Sequence, residues 1–142
     1  MTNPIVLGVA AAAAVMAAGV GQAHVSHAKP AHGAHAAAGA GDSASGAAIF
    51  KQQCSLCHSV DPGVENAAPN LRGVVGRKAA GDPKFSAYTP ALKASKVVWS
   101  TATLDTFLSG PARMIPGTAM PITLGDPKQR HDVIAYLASV KR

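Results

Sequence analysis

The chain holds only two cysteines, set three positions apart with a histidine directly after the second, in Cys54-Ser55-Leu56-Cys57-His58. Whatever the rest folds into has to serve the chemistry of that pair. A structural disulfide would close a loop too short to constrain the unfolded chain much. A thioredoxin-like redox pair needs a sheet, and no stretch here alternates convincingly with the period of two that marks a strand. A structural zinc ion wants four ligands, and the same region adds only His131 as a further strong candidate.

Covalent haem attachment is the stronger reading. Two thiols on one helical turn can meet the two vinyl groups of a porphyrin, and the histidine next in sequence then projects toward the iron beneath the plane. Composition agrees with it. At 142 residues there is room for one modest domain with extensions, and aromatics make up only 4% of the chain. A core so poor in bulk has to find it elsewhere, and a buried porphyrin would supply it. A lone C-x-x-C-H string also occurs by chance, so the reading needs support from the remaining residues.

The chain divides into three parts. Residues 1–23 contain the uncharged run Ile5 to Ala23, with Gln22 its one strongly polar residue. Gly21 and Ala23 suit cleavage before His24, as in a signal peptide. No Lys or Arg precedes the run, and it is nearly long enough to cross a bilayer, so a retained membrane anchor stays open. Either way the product is expected outside the cytoplasm, periplasmic, soluble or anchored to the outer face of the cytoplasmic membrane. Residues 24–45 are rich in Ala, Gly, Ser and His and read as a flexible linker. His24, His27, His32 and His35 could bind a metal, yet larger apolar residues that would fix a coordination geometry are missing, which favours a solvated tether.

Residues 46–142 form the domain, and carry 12 of the bases and 6 of the acids in a chain of formal charge +6. The basic residues form no block and do not interleave with aromatics, so nucleic acid is not an expected partner. Helical periodicity runs through the domain. Ile49, Phe50, Cys54 and Cys57 recur at helical spacing, and Asp61-Pro62-Gly63 breaks that first helix. Thr89-Pro90 and Ser100 are helix starts, the latter leading a face of Leu104, Phe107 and Leu108 that stops at Gly110-Pro111. Asp126 and Pro127 open a last helix, with Gln129 placed for a capping box, a stripe of Val133, Ile134, Leu137 and Val140, and Lys141 and Arg142 at its end. The fold class is all-α, short helices joined by long irregular connections that need something to wrap around.

From Gly46 to Lys141 the sequence resembles the class I cytochromes c of mitochondria and bacteria. The likeness includes Gly46 and Phe50, Gly76-Arg77-Lys78, Tyr88-Thr89, Trp99, the loop Ile115-Pro116-Gly117-Thr118-Ala119-Met120, and Ile134-Ala135-Tyr136-Leu137. The resemblance implies the cytochrome c fold around one haem c, held covalently by Cys54 and Cys57, with His58 and Met120 as iron ligands. It also implies that Arg77, Tyr88 and Trp99 surround the haem propionates, where donors offset buried negative charge. Without the family, Trp99 would simply be core. The Pro69 carbonyl would orient His58, with Leu71 beside it, and Thr118 would help close the distal loop. Phe50, Val133 and Tyr136 would join the first and last helices. Met114 reads as packing and His131 as solvated.

Two departures stand out. Phe107 occupies a position where many relatives place a Tyr whose hydroxyl reaches the Met sulfur, so that hydrogen bond is expected to be missing. Gln53, Ala112 and Ala119 stand where mitochondrial relatives carry lysines around the haem edge, with Arg113 left among them. The expected function is one-electron transfer by a monomer that is not an enzyme. Its donor would be a quinol-oxidising cytochrome complex and its acceptor a terminal oxidase. The alternative is a haem enzyme or ligand sensor of the peroxidase type, which needs an open distal site; a resident Met120 speaks against it.

Overall fold

The computed structural model describes residues 41–142. The leader, the histidines of the linker and the question of cleavage before His24 lie outside the described residues. Asp42 sits at the start of the first helix. Its backbone is extended and its carboxylate accepts the Ser45 N–H, which starts α1 at Ser43–Ile49. The helix therefore opens three residues ahead of Gly46, because Asp42 supplies a cap that the neighbouring Ala and Gly residues lack.

Beyond Ile49 the helix widens into a π-helical turn, Phe50–Cys54, in which the Ser55 N–H donates to the Phe50 carbonyl at 2.9 Å. The His58 N–H then returns to the Cys54 carbonyl, also at 2.9 Å, so both cysteines and the histidine sit at the end of the first helix. A long irregular stretch follows. Thr89 caps α2 (Pro90–Ala94), Ser100 and Thr103 form a reciprocal capping box on α3 (Thr101–Ser109), and α4 (Pro111–Met114) adds one turn. The last helix, α5, runs Pro127–Ser139. Among the described residues the only β pairing is an isolated antiparallel bridge, Lys78 to Val98.

Two details differ from the sequence reading. Asp126 caps α5 by accepting the Lys128 N–H at 2.8 Å, instead of forming a reciprocal pair with Gln129. The helix stops at Ser139, leaving Lys141 and Arg142 beyond it. Gly110-Pro111 ends α3 as expected, and the proline, tolerated in a first turn, starts the separate turn α4.

The core forms where α1 crosses α5 and α3 packs against α5. A Cβ on Gly46 would run into the Asp132 carbonyl oxygen, so the crossing requires the bare backbone of glycine. The Phe50 and Tyr136 rings meet there with centroids 5.5 Å apart. Val133, Ile134 and Leu137 of α5, Leu104, Phe107 and Leu108 of α3, and Leu124 are all buried in the same cluster. Each such side chain contributes roughly 1.5–3 kcal/mol relative to exposure. A carboxylate ties the crossing at its rim: Asp132 accepts the Asp42 N–H at 2.8 Å and the Lys128 ammonium at 2.6 Å.

Candidate functional site

The helix end supplies three reactive groups in five residues. Cys54 closes the π-helical turn half-buried, Cys57 stands exposed, and neither is bonded to the other. Burial pushes the Cys54 thiol up to about 11, so it stays an S–H at neutral pH. Thiolate chemistry, whether redox exchange or zinc binding, calls for the opposite shift. A thiol that adds across a carbon–carbon double bond has no such requirement.

His58 is fixed in both position and tautomer. Its Nδ1 lies 2.7 Å from the Pro69 carbonyl oxygen, and since a carbonyl can only accept, Nδ1 carries the proton. Burial lowers the affinity of the ring for a second proton, with the Pro69 carbonyl opposing and Arg77 assisting. The ring is thus held neutral with Nε2 left as a lone-pair donor, the form a metal takes.

The loop carrying Pro69 is stitched to the cysteine turn on both sides. Ala68 N–H donates to the Cys57 carbonyl at 3.0 Å and Leu71 N–H to the Ser59 carbonyl at 2.8 Å. Asn70 completes the stitching: its side-chain amide donates to the carbonyls of Asp61 and Val64, and its oxygen accepts the Arg72 N–H. Asn70 has no counterpart in the sequence reading. Its signal was a short polar side chain beside a proline, between two irregular stretches, which marks many turns besides this one.

Arg77, Tyr88 and Trp99 are brought together through backbone and one buried acid. The Gly76 N–H donates to the Trp99 carbonyl at 2.7 Å, and the Trp99 N–H to the Arg77 carbonyl at 2.9 Å. Arg77 Nη2 donates to the Asn70 carbonyl at 2.6 Å. The Tyr88 hydroxyl accepts the Asp82 N–H at 3.1 Å, which leaves its own proton free to donate, and burial pushes its ionisation upward. Asp82 is buried and accepts the backbone N–H groups of Asn70 and Lys84. That acid also escaped the sequence reading, because an Asp before a proline looks like an ordinary turn.

On the other side the loop from Ile115 to Met120 begins buried at Ile115. Gly117 turns it at φ +89°, and a Cβ there would press on Ala91. Thr118 N–H donates to the Ile115 carbonyl at 3.0 Å, and Thr118 Oγ1 lies 3.4 Å from the Met120 amide, a long contact. Met120 and Met114 are both partly buried and pack against the core. Phe107 is buried against Trp99, ring centroids 4.9 Å apart. His131 is on the exposed side of α5, its Nε2 3.8 Å from an Asp105 oxygen.

Residues 43–141 match the family described as Cytochrome c. Cytochrome c of Tetrahymena pyriformis is 46% identical over 101 residues, spanning 70% of this chain and 90% of the relative. Cytochrome c2 of Rhodomicrobium vannielii is 43% identical over 102 residues, spanning 70% and 80% respectively. The solved structure of cytochrome cH from Methylobacterium extorquens is similar at a TM-score of 0.64 and 38% identity, covering 70% of this chain and 99% of that one. The chain belongs to the cytochrome c family and has its all-α fold. It is an electron-transport protein whose one haem c is attached covalently through Cys54 and Cys57. The donor set fits that group: two unpaired thiols, one of them kept protonated, and a neutral imidazole with a free Nε2.

Proposed function

We propose that the protein shuttles single electrons between membrane complexes outside the cytoplasm, from a quinol-oxidising cytochrome complex to a terminal oxidase, through an iron held by His58 and Met120. The observation that carries this reading is the His58–Pro69 hydrogen bond, which presents Nε2 as a neutral donor one residue after the second haem-bearing thiol. When bound, the haem supplies the ferric/ferrous couple. His58 contributes a donor strengthened by the Pro69 carbonyl. Met120 contributes a neutral thioether, which favours the ferrous state and fills the site where oxygen or peroxide would bind. Arg77, Tyr88 and Trp99 offer donors to the propionates, with the Tyr88 proton uncommitted within the protein. Thr118 holds the Met120 segment in a closed turn.

The experiment is ligand exchange. Carbon monoxide added to the ferrous protein at neutral pH is expected to change its spectrum little, whereas Met120→Ala should bind it readily and gain peroxidase activity. Rapid binding by the unaltered protein would overturn the carrier reading in favour of an enzyme or sensor.

Among the described residues no helix is long and apolar enough to cross a membrane. The tether or signal we propose is the uncharged run of residues 5–23, and the carrier domain is proposed to act as a monomer.

A further inference from the structure

Arg130, on the second turn of α5, is 9% exposed, and its guanidinium makes three hydrogen bonds within the fold. Nε donates to Asp105 Oδ1 on α3 at 2.7 Å. Nη1 donates to the carbonyls of both Leu124 and Gly125 at 2.9 Å. Leu124 is itself 2% exposed, and its N–H donates to the Leu108 carbonyl of α3 at 2.8 Å. One cation thus joins α3, α5 and the backbone four and five residues past Met120.

The chain between the two ends of the distal loop is held much less. Upstream, the Ile115 N–H donates to the Pro111 carbonyl at 2.8 Å and the Ile115 side chain is buried. Between Ile115 and Leu124, the hydrogen bonds are the Thr118–Ile115 bond and the long Met120–Thr118 contact. Ala119, Pro121, Ile122 and Thr123 are exposed and add none. Besides the packing of the Met120 side chain against the core, the segment is held by hydrogen bonds mainly at its ends, and Arg130 holds the downstream one.

We infer that Arg130, fixed by Asp105, is a positioning residue that sets how firmly Met120 stays on the iron; this rests on the His58/Met120 reading above. Asp105 neutralises the buried guanidinium and aims its remaining donors at the two carbonyls. A lysine has the charge but not the fork, and cannot serve the carboxylate and both carbonyls in that geometry. The other ionisable group facing this pair is His131, whose Nε2 lies 3.8 Å from the same Asp105 oxygen.

The test uses the haem-loaded ferric protein, imidazole as the competing ligand, and the long-wavelength absorption band of a sulfur–iron bond. Arg130→Lys is expected to bind imidazole about tenfold more tightly than the parent, the factor one lost hydrogen bond to a charged group yields. Amide exchange at Leu124 should accelerate while exchange in α1 stays as it was. Asp105→Asn should move the same way by a smaller factor, and carries the test if Arg130→Lys fails to fold. Unchanged imidazole affinity and an unchanged Leu124 exchange rate would overturn the inference. So would an equal acceleration of exchange in α1, which would mean general destabilisation. If the parent protein shows no sulfur–iron band, the Met120 assignment falls instead of the clamp.

Discussion

At the scale of single residues, the buried face of α3 carries a change with an electronic consequence. Phe107 packs against Trp99 in the cluster that also receives Met120, and an aromatic ring without a hydroxyl has no hydrogen bond to offer a sulfur. Phe107→Tyr is expected to raise the midpoint potential, because a hydroxyl donating to the thioether makes it a poorer donor to ferric iron. By the same weakening it should lower the temperature at which the ferric protein loses the Met120 ligand. An unchanged voltammogram together with an unchanged thermal loss of the ligand would remove the idea. The two haem-bearing cysteines were legible in the sequence because spacing encodes them: two thiols three positions apart with a histidine after the second admit few chemistries. Asn70, Asp82 and Arg130 were not, since each does its work through hydrogen bonds to backbone distant in sequence, and a polar side chain does not announce which carbonyl it will meet.

At the scale of elements, the joint between α1 and α5 depends on a carboxylate pair. Asp132 is buried beside the start of α1; burial pushes its pKa up, but the Lys128 ammonium and the Asp42 N–H outweigh that and hold it below 3.8. Asp42 is also held low, by the Ser45 N–H it caps. Both groups bind protons more readily in the unfolded chain, so their contribution is fully present above about pH 4 and is lost as the pH falls toward the lower folded-state values. Asp132→Asn should therefore lower stability at neutral pH by about 1–2 kcal/mol and flatten the acid limb of a denaturation profile. A parallel downward shift of the whole profile would contradict that account. The helices themselves were readable from caps and stripes, as Thr89, Ser100 and Asp126 illustrate. The π-helical turn was not, because a five-residue step preserves nearly the same apolar spacing as a regular helix, and it shows itself in the hydrogen bonding, as in the Ser55–Phe50 bond.

At the scale of the whole molecule, charge and docking separate. The chain carries a formal +6, yet Ala112 and Ala119 are exposed without charge, and Arg113 Nη2 is turned back onto the Ser109 carbonyl at 2.9 Å. Leu56, between the two cysteines, is 84% exposed. These exposed positions are therefore less charged than a lysine-ringed relative would present, and encounter with an oxidase should depend weakly on salt. Turnover is expected to fall less than about threefold between ~10 and ~150 mM ionic strength. Ala112→Lys with Ala119→Lys should steepen that dependence, and a steep decline in the parent would contradict the prediction.

The uneven stitching of the two sides has a consequence for how such a chain can diverge. On the proximal side the backbone from Ala68 to Leu71 and the segment from Cys57 to Ser59 are bonded to each other, so replacing one residue disturbs its opposite number. Ala119, Ile122 and Thr123 answer to no internal partner. A lineage could rewrite the exposed stretch to suit a new partner while the anchorage of His58 is inherited intact.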